Sequence, residues 1–216
     1  KKLSFNPEST LSTAKKLYSI HKLKKADSLF ITGEDGPVLF SLKDQTWKPI
    51  EKNLMSANGY IGRYIFEDAN NIIWICTVGG GLIRYDYQKG VFRIIESVRK
   101  FSIYARHLYD DGNLFWIASD NGVIVYNPDK DTVVKQIDLS AHNASNVCYA
   151  IQKDKTGSFW VSSNTGLYKI NPANYSIQNY DIGNGLSFLE FNTACVAKEE
   201  DGRLYFGGVG GITTFI

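Results

Sequence analysis

The chain is poor in the residues that catalytic and metal chemistry most often use. Of its 216 residues, three are cysteine, three are histidine and one is methionine. Cys76, Cys148 and Cys195 show no C-x-x-C or Cys/His spacing, which excludes the common zinc and redox motifs. Each falls in an apolar, strand-like segment, so all three are expected to be small buried hydrophobes. Spacing leaves a Cys148–Cys195 bridge open without indicating one. His21, His107 and His142 are far apart, with neither H-x-H nor H-x-x-x-H, so no metal site is expected. No G-x-S-x-G elbow occurs. No apolar run exceeds the length of a strand, so no membrane contact by this segment is expected. The net charge of +2 is spread evenly, and Lys22, Lys24 and Lys25 form the one tight basic cluster. That cluster suits a solvated loop, and without a basic stripe nucleic acid is not an expected partner. The chain opens at Lys1 without methionine, as an excised segment would, so a missing targeting signal says nothing.

What the chain does have is a repeat. Phe30, Trp74, Trp116, Trp160 and Tyr205 follow one another at intervals of 44, 42, 44 and 45 residues. Each sits on a short apolar run and is followed by a glycine: Gly36, Gly81, Gly122, Gly166 and Gly211. Short strands repeating at that period cannot bury both of their faces alone, so copies must pack on one another. The second copy is the clearest. IGRYIFE (61–67), IIWICT (72–77), LIRYDY (82–87) and VFRII (91–95) are four strand-like runs rich in β-branched and aromatic residues. The glycines of 78–81 suit the tight turn between the second and third runs. Four antiparallel strands in about 43 residues make a propeller blade. Copies three and four keep the pattern, copy five stops after its third strand, and copy one is the most degenerate. No helical period competes.

The expected fold is therefore all-β: a β-propeller of about five four-stranded antiparallel blades. The approximate blades are 13–55, 58–99, 102–140, 144–183 and 190–216. Residues 1–12 would form an outer strand of a preceding blade or of the last one. Six positions before the later anchors lie Asp68, Asp110, Asp154 and Glu199. Acceptors there suit capping of turn N–H groups better than catalysis. The glycine turns lead into strands, not into helix N-termini, which argues against phosphate cradles.

Residues 65–86, IFEDANNIIWICTVGGGLIRYD, resemble the two-component regulator propeller repeat almost throughout. Residues 184–215 are similar to the end of such an array in hybrid two-component sensors. Cys76 and Ala118 stand where that repeat has a small glycine, and copy one lacks the tryptophan. The resemblance implies the C-terminal part of a second, seven-bladed propeller in the periplasmic region of a sensor histidine kinase. It also implies a non-catalytic domain that detects an oligosaccharide or similar nutrient and relays a conformational signal to the kinase. Its partners would be an adjoining β-sandwich, the other propeller of the same protein and, in the full receptor, a second copy. A protein-docking scaffold and a polysaccharide lyase are the alternatives. No cofactor, metal site or catalytic residue is expected.

Geometry suggests where a ligand would bind. The turns between second and third strands share a face with the connections into the next inner strand. That face would collect Tyr60, Arg63, Tyr104, Arg106, Asp120, Asn121, Asn164, Glu190 and Asn192, with Asn143, Asn146 and Thr165 beside them. Aromatic faces, guanidinium forks and amides are what a sugar or uronate needs. Most of the 29 aromatics in such a protein are nevertheless blade filling. An arc of five blades leaves apolar end faces and strand edges to be covered, and an open or partner-covered arc is expected.

Overall fold

A computed structural model describes residues 16–34, 36–50, 55, 58–143 and 145–216, apart from the side chains of Pro49, His142 and Asn143. The proposed outer strand in 1–12 lies outside the described residues. Five small antiparallel sheets follow one another along the chain. The first contains β1 (Leu17–Lys22), β2 (Ser28–Gly33), β3 (Val38–Ser41) and β4 (Trp47–Pro49). The second contains β5 (Ile61–Glu67), β6 (Ile73–Val78), β7 (Gly81–Asp86) and β8 (Val91–Ile94). The third contains β9 (Ala105–Asp110), β10 (Phe115–Ser119), β11 (Gly122–Asn127) and β12 (Thr132–Ile137). The fourth contains β13 (Cys148–Lys153), β14 (Phe159–Ser163), β15 (Leu167–Ile170) and β16 (Ile177–Tyr180). The last has three strands, β17 (Phe191–Lys198), β18 (Leu204–Gly208) and β19 (Gly211–Phe215). Two one-turn helices, α1 (Glu96–Arg99) and α2 (Ser140–Asn143), lie in the connections between blades.

The sheets are the blades of a propeller. Each inner strand (β1, β5, β9, β13, β17) packs on the next, and β17 also reaches β5 and β9 across the axis. The core lies between consecutive blades. Trp74 packs edge-on against Phe115 of the next blade, with ring centroids 5.0 Å apart. Trp116 stacks on Phe159 at 3.8 Å and 16°, and Trp160 meets Phe215 at 4.4 Å. The anchors thus face the following blade, and burying each one contributes on the order of 2–3 kcal/mol. Phe30 takes the same role in the first blade and is fully buried.

The glycine after each anchor has a backbone reason. Gly36, Gly81, Gly122, Gly166 and Gly211 all have positive φ, from 69° to 130°. At Gly122 an added Cβ would lie 2.1 Å from the Ile137 carbonyl oxygen. At Gly166 it would lie 2.3 Å from the Tyr180 oxygen. The end of the fourth strand therefore approaches where a side chain would stand, and only glycine fits.

Two expectations need correction. Cys76 and Cys148 are buried, but Cys195 is exposed. It lies in an irregular stretch of β17, so strand alternation does not carry it inward, and Cys148 and Cys195 are both free thiols. Lys24 is also more than a solvated charge. Its backbone N–H donates to Glu67 Oε2 at 2.8 Å and its Nζ to the Glu67 carbonyl at 2.7 Å, tying the first two blades together. Ile20 of the first blade stays 63% exposed and Ile212 of the last 70%.

Candidate functional site at one mouth of the channel

Four inner strands carry the same irregularity at the same place. Pairing slips by one residue between Leu17 and Ser19, between Gly62 and Tyr64, between Ala105 and His107, and between Cys148 and Ala150. The extra residues are Tyr18, Arg63, Arg106 and Tyr149. A bulge re-aims its side chain away from the regular pleat. Here the four bulges present two tyrosines and two arginines near the start of the inner strands. They interact in pairs. The Arg63 guanidinium lies over the Tyr18 ring at 3.9 Å, and Arg106 lies over Tyr149 at 5.0 Å.

In β17 the irregularity is larger. Phe191 pairs with Gly208 and Val196 with Phe206, so the four residues 192–195 stand opposite Gly207 alone. Ala194 within them has φ of 54°. This segment reaches across the axis, where Thr193 Oγ1 accepts a hydrogen bond from Arg106 Nη1 at 3.1 Å.

The two arginines differ electrostatically. Arg106 Nε donates to Asp120 Oδ1 at 2.5 Å, so its charge is compensated from the β10–β11 turn. Arg63 has no carboxylate partner among the described residues, and its Nε is buried without a hydrogen-bond acceptor. A buried, unpaired donor on a cation is costly unless something fills the role. Burial raises the pKa of Tyr149, Arg106 works against that shift, and nearby Glu190 and Asp120 add to it. The phenol therefore remains a hydrogen-bond donor at neutral pH.

The other expected site residues fall around this mouth in varied roles. Tyr60 is buried, packs against Gly80 and accepts from Arg99 Nη2 at 3.1 Å. Tyr104 bridges to Val78 and its carbonyl accepts from Asp120 N. Asn121 is exposed, donates to the Phe101 carbonyl and accepts from Asn146 Nδ2 at 3.3 Å. Asn164 accepts from Ser145 Oγ at 2.7 Å. Glu190 and Asn192 are exposed at the start of the β17 irregularity. Thr165 donates its N–H to Ser163 Oγ, and the side chain of Asn143 lies outside the described residues. Of these, Arg63, Arg106 and Asp120 are tied to the bulge ring by direct contacts, and Glu190 lies near Tyr149. Sequence reasoning missed Tyr18 and Tyr149, although aligning L-Y-S-I, G-R-Y-I, A-R-H-L and C-Y-A-I puts all four bulge residues in one column.

A concavity of about 510 Å³ lies between blades two and three on the outer side. Of the carboxylates in its lining, Asp68 accepts from Trp74 Nε1 and Asp86 pairs with Lys89. No cluster of metal-ligating side chains occurs among the described residues, and none of their helices is long and apolar enough to cross a membrane.

Similar proteins agree with the architecture. The extracellular domain of BT4673 from B. thetaiotaomicron, described as a hybrid two component system, superposes with a TM-score of 0.77 at 20% identity. The match covers 97% of this chain and 31% of that one. Virginiamycin B lyase from Staphylococcus aureus superposes with a TM-score of 0.68 at 14% identity, over 95% of this chain and 71% of that one. A curated relative, "Histidine kinase P4" of Formosa agariphila, is 31% identical over 97 residues, which is 44% of this chain and 7% of the kinase. The chain thus spans a small part of the kinase's length and under a third of that extracellular domain. The propeller fold is one shared with part of that extracellular domain. The match over residues 12–214 shows that this chain belongs to the family described as Domain of unknown function (DUF5074).

Proposed function

We propose that this propeller is a non-catalytic, extracytoplasmic sensor domain of a two-component receptor, located in the periplasm. Its bulge ring binds an acidic oligosaccharide, such as a uronate-containing fragment. The kinase relative and the fold shared with an extracellular receptor domain support the sensor role. The observation that carries the ligand class is Arg63. Its guanidinium is stacked on Tyr18 and unmatched by any carboxylate among the described residues, beside a second Arg–Tyr pair. A carboxylate on a sugar ring would take the Arg63 fork while the ring lies against Tyr18 or Tyr149.

Signal transfer would follow from a population shift. A ligand bridging Arg63 on β5 and Arg106 on β9 favours one arrangement of neighbouring blades, and adjoining domains of a dimeric receptor respond to it. The β-sandwich and second propeller expected beside this segment would be those domains. No specific observation favours the lyase alternative. His107, on the inner strand β9, is buried and its Nδ1 is already taken by a backbone N–H. Likeness to a lyase at 14% identity speaks only to fold.

Calorimetric titration with oligogalacturonate tests the proposal. Arg63→Ala is expected to weaken binding by about 10- to 100-fold, the range for a lost charge-assisted hydrogen bond, without loss of thermal stability. Arg106→Ala should weaken it too, with some loss of stability from the freed Asp120. Unchanged titrations in both variants would overturn the proposal.

A further inference from the structure

Beyond the bulge ring, deeper along the same axis, lies a second cavity of about 340 Å³. It is lined from four inner strands, by Tyr64 and Phe66 of β5, His107 and Tyr109 of β9, Gln152 of β13 and Ala194 of β17. The β17 irregularity separates the two regions: Thr193 faces Arg106 at the mouth while the next residue, Ala194, lines the cavity. A volume of this size falls at the lower end of what small-molecule sites use, about 300–1,000 Å³.

The polar groups around it are unusually well defined. His107 is 5% exposed, and its Nδ1 accepts the Ile151 N–H at 3.3 Å. That bond fixes the tautomer, because an accepting Nδ1 puts the proton on Nε2. Burial holds the ring neutral by lowering its pKa to about 3. The imidazole rests against the Tyr64 ring at 4.2 Å. Burial, with Cys76 close by, raises the Tyr64 phenol to about 12, so it also stays protonated. No group among the described residues hydrogen-bonds to His107 Nε2, to the Tyr64 hydroxyl or to the Gln152 amide. The cavity therefore presents two fixed donors and an amide able to donate and accept, against an aromatic wall. No cationic side chain lines it, and Asp110 is among the residues of its rim.

We propose that this cavity is a second ligand site, for a single uncharged, ring-sized polyol such as a neutral hexose. An anion would meet Asp110 with no compensating charge. An alkylammonium ion would suit the aromatic wall and Asp110, but would leave the donors of His107 and Tyr64 unmatched. A neutral sugar satisfies both: its hydroxyls accept from Nε2–H and the phenol, pair with Gln152, and its apolar face lies on the rings. The inference rests on β5, β9, β13 and β17 together and does not depend on the function of Arg63.

The test uses the 216-residue chain. NMR resonances of the His107 imidazole are followed while galactose, glucose or mannose is added, with galacturonate and choline as charged comparisons. At least one neutral hexose is expected to shift the Nε2–H signal saturably. Gln152→Leu should weaken that binding about tenfold with thermal stability unchanged, whereas Arg63→Ala should leave it unaltered. Three outcomes would overturn the proposal: no response to any hexose, equal binding by Gln152→Leu, or saturable binding of choline or galacturonate alone. Tyr64→Phe, which removes one donor while keeping the ring, gives the same reading if Gln152→Leu fails to fold.

Discussion

Blades two and four differ from blade three by one residue in one turn, and the difference decides what their tryptophans do. Between inner and second strands, blades two and four have five residues, 68–72 and 154–158, while blade three has four, 111–114. The longer turn lets the leading aspartate curl over it. Asp68 Oδ1 accepts from the N–H groups of Asn70 and Ile72, and Oδ2 accepts from Trp74 Nε1 at 2.9 Å. Asp154 repeats this arrangement with Thr156, Ser158 and Trp160, and adds Lys169 at 3.2 Å. In blade three the shorter turn keeps Asp110 in the strand, paired with Phe115. Among the described residues its carboxylate takes only the Gly112 N–H, and Trp116 Nε1 is buried with no partner. That indole is held instead by stacking on Phe159. The aspartate is thus a keystone in two blades and a bystander in the third.

Substitution should expose this asymmetry. The largest effect is expected from Asp154→Ala, which strands an indole N–H, two turn amides and Lys169. A loss of about 2–3 kcal/mol in urea unfolding is expected, with Asp68→Ala close behind. A loss at Asp110→Ala as large as at Asp154→Ala would break the comparison. Acid should act through the same group. Burial pushes the Asp154 carboxyl up, but hydrogen bonds from Thr156, Trp160, Lys169 and Ser158 outweigh it and hold the pKa at about 2. That lies below the value in an unfolded chain, about 3.9, so its stabilisation is complete above that pH. It is lost as pH falls from there through about 2, and Asp154→Asn should flatten the stability profile in that window.

Intermediate effects are expected at the indoles themselves. Trp74→Phe and Trp160→Phe keep an aromatic in the blade interface but forfeit the bond to aspartate, for about 1–2 kcal/mol. Asp110→Ala, losing one exposed turn bond, should cost about 0.5 kcal/mol. The smallest change is expected at Trp116→Phe, about zero or slightly favourable, since it removes a buried donor that nothing accepts. A clear destabilisation there, matching Trp160→Phe, would show that the stacked indole matters more than its unmet N–H.

The repeat was legible in the sequence because anchors and glycines obey hard constraints. A positive φ at Gly81 or Gly122 admits little else, and Trp74 or Trp160 must fill a gap between blades. In the second copy the strand limits came out within a residue, while the inner strand of the last copy begins two residues before the expected Thr193. Arg63 and Arg106 were legible as candidates, since arginine has little structural business in a channel. Tyr18 and Tyr149 were not, because tyrosine also fills blades and only the bulge separates the two uses. Cys195 was misplaced for the same kind of reason: alternation fails where four residues of β17 oppose one. The Asp110 turn was counted correctly from the tryptophan, but its register depends on how the preceding strand pairs. The bond from Ile151 to His107 joins residues 44 positions apart, and no local pattern announces it.

A crystal structure of the chain with a short oligogalacturonate would test the functional account most directly. The account predicts a sugar carboxylate within hydrogen-bond distance of the Arg63 guanidinium, with a sugar ring against Tyr18 or Tyr149. A ligand bound in the groove between blades two and three, with Arg63 still unmatched over Tyr18, would contradict it.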